Sequence, residues 1–292
     1  MARPVYDKPY RTLYNAKQTG LKERLHVSPL DLKSRLKTGR YGPHKRMQLD
    51  LFPPVSQAGQ LWSDHNGTPL RPTILFFYGG SWKSGSRGLY RPLGLALSRA
   101  GFAVAIADYR LYPEVTFPAF MEDAAAALSW VQAFAPEFGG DPADIRLMGH
   151  SAGAHMGALL CLDPAWLEAE NLAPSIVRQF VGLAGPYVTN LMRAGSVAPI
   201  FNTAVDKTRT RPVKMVASGH PMPPSLLLHG TADKTVAWKN SEIFAGAIRD
   251  LGGDARTEFY PRVGHVGLLT TLAPGLRWRA TSWDRILDFL AE

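Results

Sequence analysis

Five short, largely apolar runs, each closed by glycine or a polar turn, limit how this chain can fold. Residues 74–78 are continuously apolar and end in Gly79-Gly80, and residues 102–107 repeat the pattern and end in Asp108-Tyr109-Arg110. Residues 145–148, Val177–Leu183 and 225–228 follow. Runs that are continuous rather than alternating predict strands buried on both faces, as in a parallel sheet. Parallel strands need crossovers, and helical spacing fills the gaps: Phe120, Ala124, Leu128, Val131 and Ala135 within 117–138, then an alanine-rich stretch at Ala152–Leu162. Another helix is expected over 237–251. The expected class is α/β, a mostly parallel sheet flanked by helices.

The margins are less buried. Residues 47–52 alternate with period two and predict a half-exposed strand stopped by Pro53-Pro54. The polar stretch 57–72 reads as a hairpin or loop, and residues 256–260 as a late alternating strand. At Ser282–Leu290, Trp283, Ile286, Leu287 and Leu290 share one helical face. Residues 189–224 break the rhythm, proline-punctuated and without a period; so long an interruption in a compact domain predicts a cap or lid.

At 292 residues and 46% hydrophobic content the chain suits one large domain with an ample core. Cys161 is the only cysteine, which excludes an intrachain disulfide and a cysteine metal site. No run reaches the ~18 apolar residues of a membrane span. The N-terminus lacks an apolar signal core, so a cytoplasmic chain or the mature form of an exported one is expected.

The net charge of +9 suggests nucleic acid until it is located. Residues 1–46 carry 12 Lys+Arg against 3 Asp+Glu, and residues 47–292 carry 21 of each. The body over 47–292 is balanced, and 1–46 is expected to be a basic, loosely docked leader or N-terminal extension rather than a nucleic-acid arm.

Chemistry concentrates at Gly149-His150-Ser151-Ala152-Gly153, a G-x-S-x-G between an expected strand and an expected helix. That context suits a serine on a strained turn, with glycines two residues away on each side so that strand and helix can approach. A serine hydroxyl needs a base, and the base needs a carboxylate to orient it. Asp233 lies in a turn after the strand at 225–228, and His265 in a loop after the strand at 256–260. The order Ser151, Asp233, His265 is therefore satisfied, each with a strand behind it. Rivals fit less well: Asp206 and His220 fall in the irregular insertion, and Asp254 precedes its strand. His229 reads as a satisfied strand-end histidine, and His150 and His155 as packing around the turn.

Acyl transfer also needs donors for a developing oxyanion, each worth ~3–4 kcal/mol. The Ala152 N–H supplies one, and the turn Tyr78-Gly79-Gly80-Ser81-Trp82 supplies the other. That turn is no phosphate loop, since Ser86-Arg87 stands where Lys-Ser/Thr is required. No dinucleotide glycine spacing or His-Glu-x-x-His motif occurs, so no cofactor and no metal are expected.

Together, Tyr78–Trp82, Asp108-Tyr109-Arg110-Leu111, Gly149–Gly153, His229–Asp233 and Gly264-His265 resemble an α/β-hydrolase of the esterase/lipase group, one whose oxyanion loop reads His-Gly-Gly-x-Trp. The chain is especially similar to the bacterial carboxylesterase branch with feruloyl-esterase-like and kynurenine-formamidase-like members, over roughly 45–292. The resemblance implies Ser151, Asp233 and His265 as catalytic triad and Gly79, Gly80 and Ala152 shaping the oxyanion hole. It implies Asp108 and Arg110 as structural anchors of the loop. Tyr78 departs from the usual His; a tyrosine can replace its buttressing hydrogen bond. Trp82 is expected to line the substrate pocket, with core packing as its alternative. The implied activity is hydrolysis of small-molecule carboxylic esters, short- to medium-chain or aryl, through an acyl-enzyme on Ser151, with an aryl formamidase or amidase using the same triad as the alternative. No nucleic-acid partner is expected, and a homo-oligomer is left open.

Overall fold

The computed structural model describes residues 26–27, 37–55, 69–216 and 220–292. Within these, nine strands form one sheet: β1 (His26–Val27), β2 (Lys37–Arg40), β3 (Gln48–Phe52), β4 (Arg71–Phe77), β5 (Ala103–Ala107), β6 (Gly140–His150), β7 (Val177–Leu183), β8 (Ser225–Gly230) and β9 (Ala255–Tyr260). Their order is β1-β2-β3-β5-β4-β6-β7-β8-β9. The pairs β1–β2, β2–β3 and β3–β5 are antiparallel, and every later pair is parallel.

The continuous apolar runs are the central strands, as their hydrophobicity requires: Ile74 to Phe77 and Ala103 to Ala107 are buried on both faces. Helices Ala119–Phe134, Ala152–Leu162, Lys239–Asp250 and Ser282–Leu290 supply crossovers and cover. A further helix, Arg91–Arg99, was not read from the sequence; Pro92 opens it, and Leu93, Ala96 and Leu97 are buried. Gly94 is needed there, since a Cβ would lie 2.5 Å from the Phe52 ring. Among the described residues no helix is long and apolar enough to cross a membrane.

Two expected boundaries move. Residues 57–68 of the expected loop lie outside the described residues, and Arg71 and Pro72 already belong to β4, pairing with Gly140 and Asp141. The leader does not extend loosely to residue 46. Lys37–Arg40 pairs with β3 from Lys37↔Leu51 to Arg40↔Gln48, and Gly39 lies flat against the Trp130 indole. Polar strand residues and a glycine leave no hydrophobic period, so this strand looked like leader. Most of residues 1–36 lie outside the described residues.

Residues 189–224 connect β7 to β8 through short turns and the helices Ala198–Phe201 and Pro212–Met215; residues 217–219 are outside the described set. This insertion is pinned from several sides. Phe117 N donates to Ile200 O at 2.9 Å, Thr203 Oγ1 to Phe117 O at 3.1 Å, and Val213 N to Tyr187 O at 3.1 Å. Arg209 pairs with the buried Asp163 at 2.6 Å.

Candidate active site

Ser151 stands between β6 and helix Ala152–Leu162 with φ 53° and ψ −117°, a conformation rarely adopted outside glycine. The turn holds because Ser151 N donates to Leu183 O at 2.8 Å and because the flanking glycines allow it. A Cβ on Gly153 would lie 2.0 Å from Phe77 O, and one on Gly149 2.5 Å from the Gly153 carbonyl.

The three expected residues meet. Asp233 follows β8, and His265 opens the helix His265–Thr270 after β9. His265 Nε2 is 2.8 Å from Ser151 Oγ, and its Nδ1 is 2.6 Å from Asp233 Oδ2. A carboxylate can only accept, so the proton sits on Nδ1, and Nε2 faces the serine hydroxyl as an acceptor. Asp233 Oδ1 is fixed by the N–H groups of Thr235 and Val236 at 2.8 and 2.9 Å. Burial alone would raise the Asp233 carboxyl; the hydrogen bonds from His229, His265 and Val236 N–H override it and hold the group well below the usual carboxylate range.

His229 is more than a satisfied strand-end residue. It is fully buried, with Nε2 3.2 Å from Asp233 Oδ2 and 3.0 Å from Val236 O, and Nδ1 2.8 Å from Ser241 Oγ. Two acceptors at Nε2 place the proton there, and Ser241 donates to Nδ1. Asp233 Oδ2 thus accepts from two imidazoles. The signal was present in the sequence as a histidine four residues before the acid, but only the strand-end geometry makes the contact.

His150 and His155 pack around the turn. Burial, aided by the nearby His265, pushes the His150 imidazole down to about 3, and burial pushes His155 down to about 4. His150 Nε2 points at His265 O, 3.3 Å away. His155 Nε2 is 2.9 Å from Thr210 O, which ties the insertion to the first turn after Ser151.

On the other side of Ser151 lies the glycine turn. Gly79 must lack a side chain, since a Cβ would lie 2.8 Å from Ser151 Cβ, and Gly80 has φ +140°. The Tyr90 ring stacks on Tyr78 at 5.7 Å between centroids, and burial raises its phenol against the opposing effect of the Gly79 backbone. The Gly80 and Ala152 N–H groups donate to no backbone carbonyl among the described residues. The departure at Tyr78 is accommodated: its hydroxyl donates to Asp108 Oδ1 at 2.8 Å and accepts from Arg46 Nη2 at 2.5 Å. Arg46 also donates to Gly85 O and Tyr109 O, each at 2.8 Å, and Arg87 pairs with Asp108 and Asp50. Asp108 therefore anchors the loop. Arg110 instead ties to Asp123 at 2.6 Å on helix Ala119–Phe134. The arginine holding Tyr78 is one the charge count had assigned to the leader.

Trp82, expected to line the pocket, takes its packing alternative. It is 2% exposed, with ring centroids 4.8 Å from Phe201 and 5.0 Å from His155, beneath the insertion. Asp206 and Asp254 bond locally to Thr208 and Arg256, away from the site. No group of three or more His, Cys, Asp or Glu side chains that could hold a metal is found among the described residues.

The sheet order and a serine turn between its central strands define the α/β-hydrolase fold. The BD-FAE family model matches residues 60–179. The chain is 29% identical over 247 residues to isoprenylcysteine alpha-carbonyl methylesterase ICME of Arabidopsis thaliana, covering 78% of this chain and 56% of that protein. It is 29% identical over 273 residues to esterase LipQ of Mycobacterium tuberculosis, covering 85% of this chain and 64% of that one. The chain thus spans a little over half the length of the first of these relatives. Among solved structures it resembles butyrate-bound esterase 2 of Thermogutta terrifontis, with a TM-score of 0.70, 23% identity, and coverage of 92% of this chain and 97% of the other.

Proposed function

We propose that the chain is a serine hydrolase of small carboxylic esters, working through an acyl-enzyme on Ser151. The observation that carries this reading is the hydrogen-bonded line from Ser151 Oγ through His265 to Asp233, with Ser151 held on a strained turn. His265 Nε2 takes the hydroxyl proton as Oγ attacks the ester carbonyl, and Asp233 keeps the tautomer and stabilises the imidazolium. The N–H groups of Gly80 and Ala152 meet the oxyanion, with Gly79 leaving room beside Ser151. His265 then gives its proton to the leaving alcohol, and water releases the acid by the same base. Relatives named as methylesterase and esterase support the same chemistry. Residues 189–224 act as a fixed cap, a role supported by the bonds that pin them to the body.

The test is hydrolysis of p-nitrophenyl esters from acetyl to dodecanoyl, beside an aryl formamide, with Ser151→Ala as control. Ester turnover that falls at least 10³-fold in the variant is expected. Turnover surviving in Ser151→Ala, or formamide cleavage without ester cleavage, overturns the reading.

A further inference from the structure

A largely apolar cavity of about 280 Å³ lies between the start of helix Arg91–Arg99 and the end of helix His265–Thr270. Leu89, Tyr90 and Leu93 form one wall, and Leu269, Leu272 and Ala273 the other. One wall reaches toward the site through Leu269, on the helix that His265 opens, and the other through Tyr90, whose ring stacks on Tyr78, the residue before Gly79, at 5.7 Å between centroids. At this end of the molecule two large apolar side chains stand in solvent: Leu89 on the cavity wall, 72% exposed, and Val266 next to His265, 64% exposed. Beyond the first turn after Ser151 the space is filled instead. His155, Trp82, Phe201 and Phe120 pack ring against ring there, and Thr210 O closes on His155.

Resting on the ester-hydrolase reading, we infer that this cavity receives the alcohol side of the substrate, so that preferred esters pair a short acyl group with a long apolar alcohol. The direction follows from the proton. As the Ser151 Oγ–carbonyl bond has formed and the carbonyl–alkoxy bond breaks, the bonding pair goes to the alkoxy oxygen. That oxygen takes the proton carried by His265 Nε2, so the alcohol departs on the His265 side. The wall on that side is the helix begun by His265. The packed rings beneath the insertion restrict the acyl side. At ~30 Å³ per water-sized group the cavity holds about nine, an octyl or nonyl chain.

Two isomeric esters of equal hydrophobicity separate the sides: decyl acetate and ethyl decanoate, followed by acid release below their aggregation limits. Decyl acetate is expected to have the higher kcat/KM, by tenfold or more. Along the alkyl acetates kcat/KM should climb from ethyl, by up to about fourfold per methylene where burial is complete, and level off near octyl. Ala273→Trp, which fills the far end, should lower the octyl-to-ethyl acetate ratio about tenfold. Leu89→Ser, at an exposed position that folding tolerates, should lower the same ratio. Ethyl decanoate equal to or better than decyl acetate, or a ratio unmoved by both variants, overturns the assignment. Phenyl acetate distinguishes the levels: Ser151-dependent turnover of it without an alcohol-length preference refutes the cavity alone, and no turnover of any ester refutes the hydrolase reading beneath it.

Discussion

Replacing His229 by leucine tests whether the second imidazole on Asp233 matters for chemistry as well as for folding. The substitution removes the Nε2–H that reaches Asp233 Oδ2 and Val236 O, and it leaves the Ser241 hydroxyl without its buried acceptor. A lost hydrogen bond to a charged group costs about 1.5–3 kcal/mol, and stranded buried groups about 1–3 kcal/mol. Stability should therefore fall by about 2.5–6 kcal/mol, read from urea unfolding. The carboxylate itself should stay in place, because Thr235 and Val236 N–H groups hold Oδ1 and His265 holds Oδ2. Activity should consequently drop about tenfold in kcat, with KM little changed, far less than for Ser151→Ala. The sign of the pH effect also follows. A carboxylate with one donor fewer is more basic and holds the imidazolium more tightly, so the acid limb of kcat/KM should move to higher pH. His229→Gln, which keeps a donor, should restore part of both losses. A fall in stability with unchanged kcat and an unmoved limb would refute the argument and leave His229 a packing residue.

Other consequences can be measured on the same protein. Tyr78→Phe deprives Asp108 and Arg46 of a shared partner, so about 1–3 kcal/mol of stability should go, with kcat falling more than KM. Combined with Arg46→Ala it should show a coupling energy of about 0.5–3 kcal/mol in a double-mutant cycle, and strict additivity would argue against the shared network. Gly153→Ala places a Cβ against Phe77 O and should cost at least 1–3 kcal/mol, together with most of the activity; a variant as active as the parent would show that the elbow can spread. His150 and His155 are neutral in the folded protein, at about 3 and about 4, and unfolding returns each to ~6.5. Their contribution is complete above pH ~6.5 and is lost as pH falls toward 4 and then 3, because the unfolded chain binds the extra protons. The urea midpoint should decline over that window, and a flat profile would contradict it.

What the sequence disclosed and what it hid divide along a physical line. The central strands were legible because burial on both faces leaves a continuous apolar run, as in residues 74–77. Ser151, Asp233 and His265 were legible because each follows a readable strand, a continuous apolar run before Ser151 and Asp233 and an alternating one before His265, and chain order then places them at one end of the sheet. The strand Lys37–Arg40 was hidden because it is short, only partly buried and polar, and its lysine and arginine were counted as leader charge. Helix Arg91–Arg99 was hidden by Gly94, which weakens a helical reading and is present for contact with Phe52. Trp82 shows a deeper limit. A sequence motif fixes that a tryptophan follows the glycines, but the face it turns to depends on what the insertion brings. Here Phe201 and His155 enclose it. The same reasoning explains Arg46 and Tyr90. Neither lies in a motif, yet one holds the Tyr78 hydroxyl and the other stacks on the Tyr78 ring, because this region is built from segments that meet only once the sheet has ordered them. On the proposed ester-hydrolase reading, substrate choice should therefore respond to residues 89–93 and 269–273 more than to the glycine and serine motifs, whose role would be common to any ester that fits.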